Sequence, residues 1–174
     1  MNRRDVLGTS AVTVLGAVLP ATAFAQQKTL KDQLVGSWTL VSNDAMAPDG
    51  KKDQFYGPNP KGVLILDSAG RYASILARPD RPKLKSASRF DLDASPAELK
   101  ALLLGFGASS GTWSIDEGNK TLVRRVEASI IPNNEGSEQK ASVALSGDDL
   151  TITQTSSTSG VKSIAVYRRA KTTA

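Results

Sequence analysis

The chain of 174 residues contains neither cysteine nor histidine. Without cysteine it has no disulfide, no thiolate nucleophile and no Cys-ligated zinc or iron–sulfur cluster. Without histidine it has no Ser-His-Asp triad, no imidazole general base and no His-ligated metal. Any catalysis would therefore depend on carboxylates, tyrosines, lysines, arginines or backbone groups, and we expect no cofactor.

Aromatic residues are also scarce, at 5% of the chain. The basic residues, 22 against 17 acidic ones, are scattered and give a net charge of +5. Few aromatic rings and no concentrated basic patch argue against a nucleic-acid partner. No segment matches a phosphate loop, a dinucleotide fingerprint or an EF-hand, and the dispersed aspartates predict no metal site.

Residues 1–25 have the order of a secretory signal peptide. A charged start precedes an apolar segment over 6–19, which glycine, serine and threonine interrupt, and Ala23-Phe24-Ala25 forms a small-x-small cleavage site. The pair Arg3-Arg4 resembles a twin-arginine signal, with ordinary secretion as the alternative. We therefore expect an exported protein, periplasmic or extracellular.

The remaining residues, 26–174, are predicted to form one domain without a membrane span. Eight segments combine alternating or continuous apolar residues with flanking turn residues. They cover 36–45, 63–66, 71–78, 111–115, 121–131, 137–145, 150–154 and 161–169. Short turns favour sequential antiparallel order, and closure of eight strands removes the exposed sheet edges. We predict an all-β, up-and-down barrel of about eight strands, wide enough for one small ligand.

One short helix is predicted within this series of strands. Ser95 can serve as the N-cap, Pro96 as the first helical residue and Glu98 as the partner in a capping box. An apolar stripe follows, and Gly105 and Gly107 are expected to end the helix. The stripe consists of Leu99, Leu102, Leu103 and Phe106.

The pattern Gly-x-Trp occurs twice in the chain, as Gly36-Ser37-Trp38 and as Gly111-Thr112-Trp113. Together with 57–72, 78–82 and the residues that follow Trp113, they form an ordered pattern over 34–139. On these residues the chain resembles the bacterial lipocalin-like domain family, a group of calycin-type barrels. The resemblance implies a barrel with a helix inserted in mid-chain.

The resemblance also implies a structural signature at the closed end of the barrel. Gly36, Trp38, Gly111 and Trp113 would belong to it, with an arginine of the last strand packed over the Trp38 ring. Arg168, or alternatively Arg169, could occupy that place. The chain departs from the family at Arg124-Arg125, where family members often carry histidine. The family has no single agreed activity.

Candidate ligand contacts are Tyr56, Tyr72, Arg78, Arg125 and Glu127. Arg125 and Glu127 lie two apart on one strand and therefore share a face. The opposite face, apolar apart from Arg124, is the better candidate for the interior, which would leave Arg125 and Glu127 in an exposed cross-strand pair. On the preceding hairpin, either the face of Tyr72 or that of Arg71 could point inward.

The segment Arg78-Pro79-Asp80-Arg81-Pro82 allows two interpretations. It could clamp an anionic ligand at the rim of the barrel. Alternatively, its own charges could pair and turn the chain toward the helix, which we favour because each charge has a partner within the segment.

Three functions follow from this pattern. The leading hypothesis is a module that binds a small, largely apolar molecule. The second is an isomerase, cyclase or lyase with Glu127 as base and Tyr72 or an arginine stabilising an oxyanion. The third is an envelope interaction protein whose barrel is filled by large side chains, namely Trp38, Leu64, Leu66, Trp113 and Ile152.

Overall fold

Nine antiparallel strands form a single sheet in the computed structural model, which describes residues 28–86, 88, 90, 93–156 and 159–171. The signal peptide predicted over 1–25 lies outside these residues. The strands are β1 (Gly36–Met46), β2 (Lys52–Asp53), β3 (Lys61–Leu66), β4 (Arg71–Ala77), β5 (Phe106–Asp116), β6 (Thr121–Ser129), β7 (Glu138–Ser146), β8 (Asp149–Thr155) and β9 (Lys162–Arg169).

Pairing of the first long strand with the last one closes the sheet into a barrel. From β3 to β9 each strand pairs with the next in the chain, and β1 pairs with β3 on one side and β9 on the other. The two-residue β2 only extends the far end of β1. The predicted up-and-down barrel of eight long strands is therefore confirmed.

Two helices and one 3₁₀ turn, Pro132–Asn134, complete the described structure. The helix predicted in mid-chain, α2 (Pro96–Leu104), has the expected capping box: Glu98 donates its backbone N–H to the Ser95 hydroxyl, and its carboxylate accepts from the Ser95 backbone N–H. The other helix, α1 (Leu30–Leu34), was not anticipated because five residues carry no readable periodicity. In the described part of the chain no helix is long and apolar enough to cross a membrane.

Phe106 corrects the predicted boundary between α2 and the next strand. It was assigned to the apolar stripe of the helix, but α2 ends at Leu104 and Phe106 begins β5. After Phe106, the segment 106–110 consists of glycine, alanine and serine. These residues have little preference for strands, so the sequence does not predict a strand here. The backbone of this segment pairs along the whole edge of β4, from Ala77 to Ala73, and this pairing determines its conformation.

One half of the barrel is packed with large side chains. Each of the eight long strands contributes inward residues there, and several buried residues of this half are fully enclosed: Leu34, Trp38, Leu64, Leu66, Leu122 and Leu150. The indole N–H of Trp38 donates to the carbonyl of Leu34 in α1 at 2.9 Å, and that of Trp113 donates to the Asp67 carbonyl at 3.0 Å. Both tryptophans are thus anchored to backbone carbonyls in the packed half of the barrel.

The arginine over the Trp38 ring is Arg169, which corrects the assignment of Arg168. The Arg169 guanidinium lies 4.1 Å from the centre of the ring and donates hydrogen bonds to the Gln33 and Val35 carbonyls. Gly36, at φ 138°, lies directly against it, since a Cβ there would be 3.2 Å from Arg169 Nη1. Arg168 points outward to Asp149 because neighbouring residues of a strand face opposite sides.

Two β-bulges change which side chains face inward. In β1 the register shifts between Leu40 and Ser42, so Asn43 is buried while Ser42 is only half-buried. The bulge therefore interrupts the alternation of inward and outward residues along β1. In the pairing of β5 with β6, Glu127 is the additional residue opposite Gly111. A Cβ at Gly111 would collide with the Arg125 carbonyl oxygen, so the bulge requires glycine at this position.

We predict that Arg169→Ala lowers the free energy of unfolding by about 2–4 kcal/mol, because it removes a cation–π contact and two charge-assisted hydrogen bonds. Urea denaturation followed by tryptophan fluorescence measures the change. Arg168→Ala is the matched control and should have little effect, because its ion pair with Asp149 is exposed to solvent. Equal losses for the two variants would refute the role of Arg169 in closing the barrel.

Candidate functional site

The second half of the barrel is hollow. An inner chamber of about 180 Å³ adjoins a mouth pocket of about 270 Å³. The two share Tyr56, Ser74, Leu76 and Arg124 as lining residues. The inner chamber is further lined by Asn43, Ile152, Gln154, Ser163, Ala165 and Tyr167.

Small and polar inward residues account for this space. Where the closed half has leucine and tryptophan, the open half of β4 and β5 has Ser74, Gly107 and Ser109. Gly107 matters most, because a Cβ there would lie 2.5 Å from the Tyr56 hydroxyl oxygen. The same strands that fill one end of the barrel therefore leave the other end open.

Arg124 lies inside the barrel where the packed half meets the hollow half. Its backbone is paired with Trp113 of β5 and with Gln139 of β7. Its Nη2 donates to Gln154 Oε1 at 2.9 Å, and its guanidinium lies 5.7 Å from the centre of the Tyr72 ring. Its Nε is buried without a hydrogen-bond partner among the described residues. Burial lowers the pKa of this guanidinium, which nevertheless stays charged at neutral pH.

One tyrosine packs against the guanidinium, and two others line the same chamber. Burial raises the pKa of Tyr167 and also that of Tyr56, so both phenols stay protonated and can donate hydrogen bonds. Tyr72 is buried, and its hydroxyl is 3.4 Å from the Ser109 hydroxyl oxygen. The chamber thus offers neutral donors and one positive charge.

Several large apolar side chains line the entrance, beside the polar ones of Ser129, Asn134 and Gln139. Phe55, Leu103, Leu104, Ile130 and Ile131 line the mouth pocket, and each leaves 39–52% of its surface exposed. They come from the β2–β3 loop, from α2 and from the segment that follows β6. The large exposed apolar side chains of the site therefore lie at its mouth, whereas the lining of its inner chamber is mostly polar.

Two of the five predicted ligand contacts lie within the barrel and three lie outside it. Tyr56 lines both compartments, and Tyr72 faces inward beneath Arg124. The position of Tyr72 also shows which face of β4 points into the barrel: it is the face of Tyr72 and not that of Arg71.

Arg125 and Glu127 lie on the outer face of β6. Arg125 is 76% exposed and its Nη2 lies 3.2 Å from Glu138 Oε2. Glu127 is 50% exposed and accepts two hydrogen bonds from Arg71, at 2.6 and 2.7 Å. This ion pair lowers the pKa of Glu127. A base in the cavity would need to face inward and be desolvated, and Glu127 is neither, which corrects its assignment as a cavity contact.

Arg78 also lies outside the cavity. Its guanidinium makes two hydrogen bonds to the Asp80 carboxylate, at 3.0 and 2.8 Å, so the segment 78–82 pairs with itself. Arg81 instead lies 5.0 Å over the Phe106 ring and donates to the Arg78 carbonyl. The segment forms a corner beneath α2 rather than a clamp at the rim.

Arg124, Gln154 and Tyr167 were not identified as site residues from the sequence. One signal was available for Arg124: it is the polar exception on an otherwise apolar strand face. Gln154 and Tyr167 come from strands far along the chain, and only barrel closure brings them to Arg124. Among the described residues, no group of three or more acidic side chains could hold a metal ion.

Comparison with known proteins identifies the family. A model of the lipocalin-like domain matches residues 35–173. Among curated proteins nothing matches. Similar solved structures include a de novo designed fluorescence-activating beta barrel, with 12% identity and a TM-score of 0.37, covering 78% of this chain and 93% of that one.

Two mutants of the fluorescent protein UnaG are also similar, with 17% and 15% identity and TM-scores of 0.36 and 0.38. These matches cover 79% and 80% of this chain, and 96% and 98% of the UnaG chains. At such scores the likenesses carry no argument about ligand or activity.

We predict that Arg71→Gln raises the pKa of Glu127 toward its ordinary value, because Arg71 stabilises the ionised carboxylate. Carbon-13 NMR titration of the Glu127 carboxyl group measures this pKa. Since the pKa in the folded wild type is depressed, the contribution of the pair to stability is present at neutral pH and is lost as the pH falls through that pKa. An unchanged pKa in the variant would contradict the pairing.

Proposed function

The chain belongs to the lipocalin-like domain family, and on that premise we propose that it binds one small, largely apolar molecule in the open half of its barrel. The observation that carries the proposal is the continuous lining from the apolar mouth to the inner chamber, through Tyr56, Ser74, Leu76 and Arg124. Concave sites with mostly apolar walls and a few convergent polar groups are typical of small-molecule binding.

The size of the site favours a compact or slender ligand. The two compartments measure about 180 and 270 Å³, at or below the lower end of the range for ligand pockets, roughly 300–1,000 Å³. The exposed side chains around the mouth would gain most from a ligand, since each covered Å² of apolar surface contributes about 25 cal/mol.

The other two hypotheses are less well supported. A barrel filled by large side chains describes the closed half, where Trp38, Leu64, Leu66 and Trp113 are buried, but it leaves the hollow half unexplained. The enzyme hypothesis depended on Glu127, whose carboxylate is on the outer surface and held by Arg71. Binding without catalysis is therefore the function that we propose.

We predict that Leu76→Trp weakens binding of the neutral fluorophore N-phenyl-1-naphthylamine at least tenfold, because the larger side chain fills the space shared by both compartments. Fluorescence titration of the purified domain measures the dissociation constant. Ile65→Trp is the control: Ile65 lies on the outer face of β3, is exposed and lines neither compartment, so its replacement should leave the affinity unchanged. Absence of saturable binding to the wild type, or equal affinities for all three proteins, would contradict the proposal.

We further propose that the protein is exported with residues 1–25 as a cleaved signal peptide. The support is the order of charged, apolar and small-residue segments together with the pair Arg3-Arg4.

We expect the secreted or periplasmic fraction of cells expressing the full chain to contain a protein that begins at Gln26, as N-terminal sequencing would show. Substitution of Arg3 and Arg4 by lysine should retain the precursor in the cytoplasm if export follows the twin-arginine route, while normal export of the variant would indicate the general route. A full-length chain confined to the cytoplasm of wild-type cells would contradict export itself.

A further inference from the structure

We propose that the ligand is an amphiphile with a single carboxylate headgroup, which pairs with the Arg124 guanidinium at the floor of the barrel while the apolar tail extends toward the mouth. This inference rests on the proposed function and adds the chemical class of the ligand and its orientation. It concerns Arg124, a residue of the inner face that was not among the predicted ligand contacts.

The first argument is a buried positive charge without a negative partner in the described part of the chain. Among the ion pairs of the described residues, none includes Arg124. One of its nitrogens, Nη2, donates to a neutral amide, that of Gln154, and another, Nε, is buried with no acceptor among these residues. An unpaired buried charge costs several kcal/mol of stability in general. A carboxylate arriving from outside would supply the missing negative charge.

The second argument is the composition of the inner chamber. Its polar lining residues are Asn43, Tyr56, Ser74, Gln154, Ser163 and Tyr167. None of them carries a carboxylate, and all can donate hydrogen bonds from an amide or hydroxyl group. Such a lining would stabilise an anion next to Arg124, because it contains no negative charge that would repel one. A cationic headgroup, by contrast, would meet Arg124 as a like charge.

The third argument is the direction of the polarity change. Arg124 lines both compartments, so it lies between the mouth and the inner chamber. The entrance is lined by exposed apolar side chains of Phe55, Leu103 and Leu104. A molecule that places its charge on Arg124 would therefore leave its apolar part among these side chains. A planar carboxylate also matches the planar fork of an arginine better than it would match a lysine.

A purely structural role for Arg124 is the competing explanation. The guanidinium does pack over Tyr72 at 5.7 Å, and cation–π contacts contribute roughly 0.5–2 kcal/mol. That contact uses the face of the guanidinium and supplies no acceptor to Nε. A structural role predicts that loss of the charge destabilises the protein and leaves the headgroup preference unchanged. The proposed role predicts that loss of the charge abolishes the headgroup preference and does not destabilise the protein.

The first experiment needs only the wild-type protein. Decanoate, 1-decanol and decylamine share one alkyl chain and differ in headgroup charge, and each is used at neutral pH, below its aggregation concentration, to displace N-phenyl-1-naphthylamine. We expect decanoate to compete at least tenfold better than 1-decanol, as charge-assisted hydrogen bonds of about 1.5–3 kcal/mol would give, and decylamine to compete worst. Equal competition by decanoate and 1-decanol would overturn the inference.

The second experiment assigns the preference to Arg124. Arg124→Met should abolish the preference for decanoate over 1-decanol, measured within each protein as the ratio of the two competition constants. Arg125→Met is the matched control, because Arg125 is the adjacent residue on the outer face, and it should keep the preference. Arg124→Lys should keep a weakened preference, since it retains the charge but loses the fork. A preference that survives Arg124→Met would overturn the assignment.

Unfolding of the ligand-free variants supplies the remaining readout. The free energy of unfolding of Arg124→Met should equal or exceed that of the wild type, because a buried charge is replaced by an apolar side chain. A fall in this free energy, together with an unchanged headgroup preference, would support the structural role instead. If the fluorophore fails to bind the wild type, the proposed function fails; if it binds and the headgroups do not differ, only this inference fails.

Discussion

Pairing of β1 with β9 is the constraint on which the rest of the molecule depends. It converts an open sheet with two edges into a barrel, and it thereby divides the side chains of each strand into those inside and those outside. The contrast between adjacent arginines follows directly. Arg124 faces the interior, where it meets tyrosine and glutamine, while Arg125 faces solvent and Glu138. The same contrast separates Arg169 on Trp38 from Arg168 on Asp149.

Closure alone does not explain why one half is solid and the other hollow. That difference comes from the size of inward residues along each strand. At the closed end β3 contributes Leu64 and Leu66, both fully buried. Toward the mouth, β4 and β5 contribute Ser74 and Gly107, which fill little space. The packed half supplies the hydrophobic stabilisation of the fold, which allows the other half to keep a cavity and a buried charge that would destabilise a smaller core.

Much of this architecture could be predicted from the sequence, because it depends on local physics. Turn residues and short apolar segments predicted the eight long strands, and Ser95, Pro96 and Glu98 predicted the start of α2 through its capping box. The errors lie where distant backbone contacts decide the outcome. The segment 106–110 is a strand only because β4 pairs with it. The bulges at Val41 and Glu127 are equally invisible to a pattern of strict alternation, although they determine which residues lie inside.

The candidate site was less predictable than the fold for the same reason. Of the predicted ligand contacts, Tyr56 and Tyr72 lie inside the barrel. The other three, Arg78, Arg125 and Glu127, are charged residues that form ion pairs on the surface. A charge that looks functional in a sequence is often satisfied by a neighbour, as Asp80 satisfies Arg78. The more informative signal in a sequence is a charged residue on an otherwise apolar strand face, with no oppositely charged residue on that face. Arg124 has that signature, and barrel closure leaves its Nε buried with no acceptor among the described residues. Because such burial costs stability, an anionic ligand explains the arginine better than packing does.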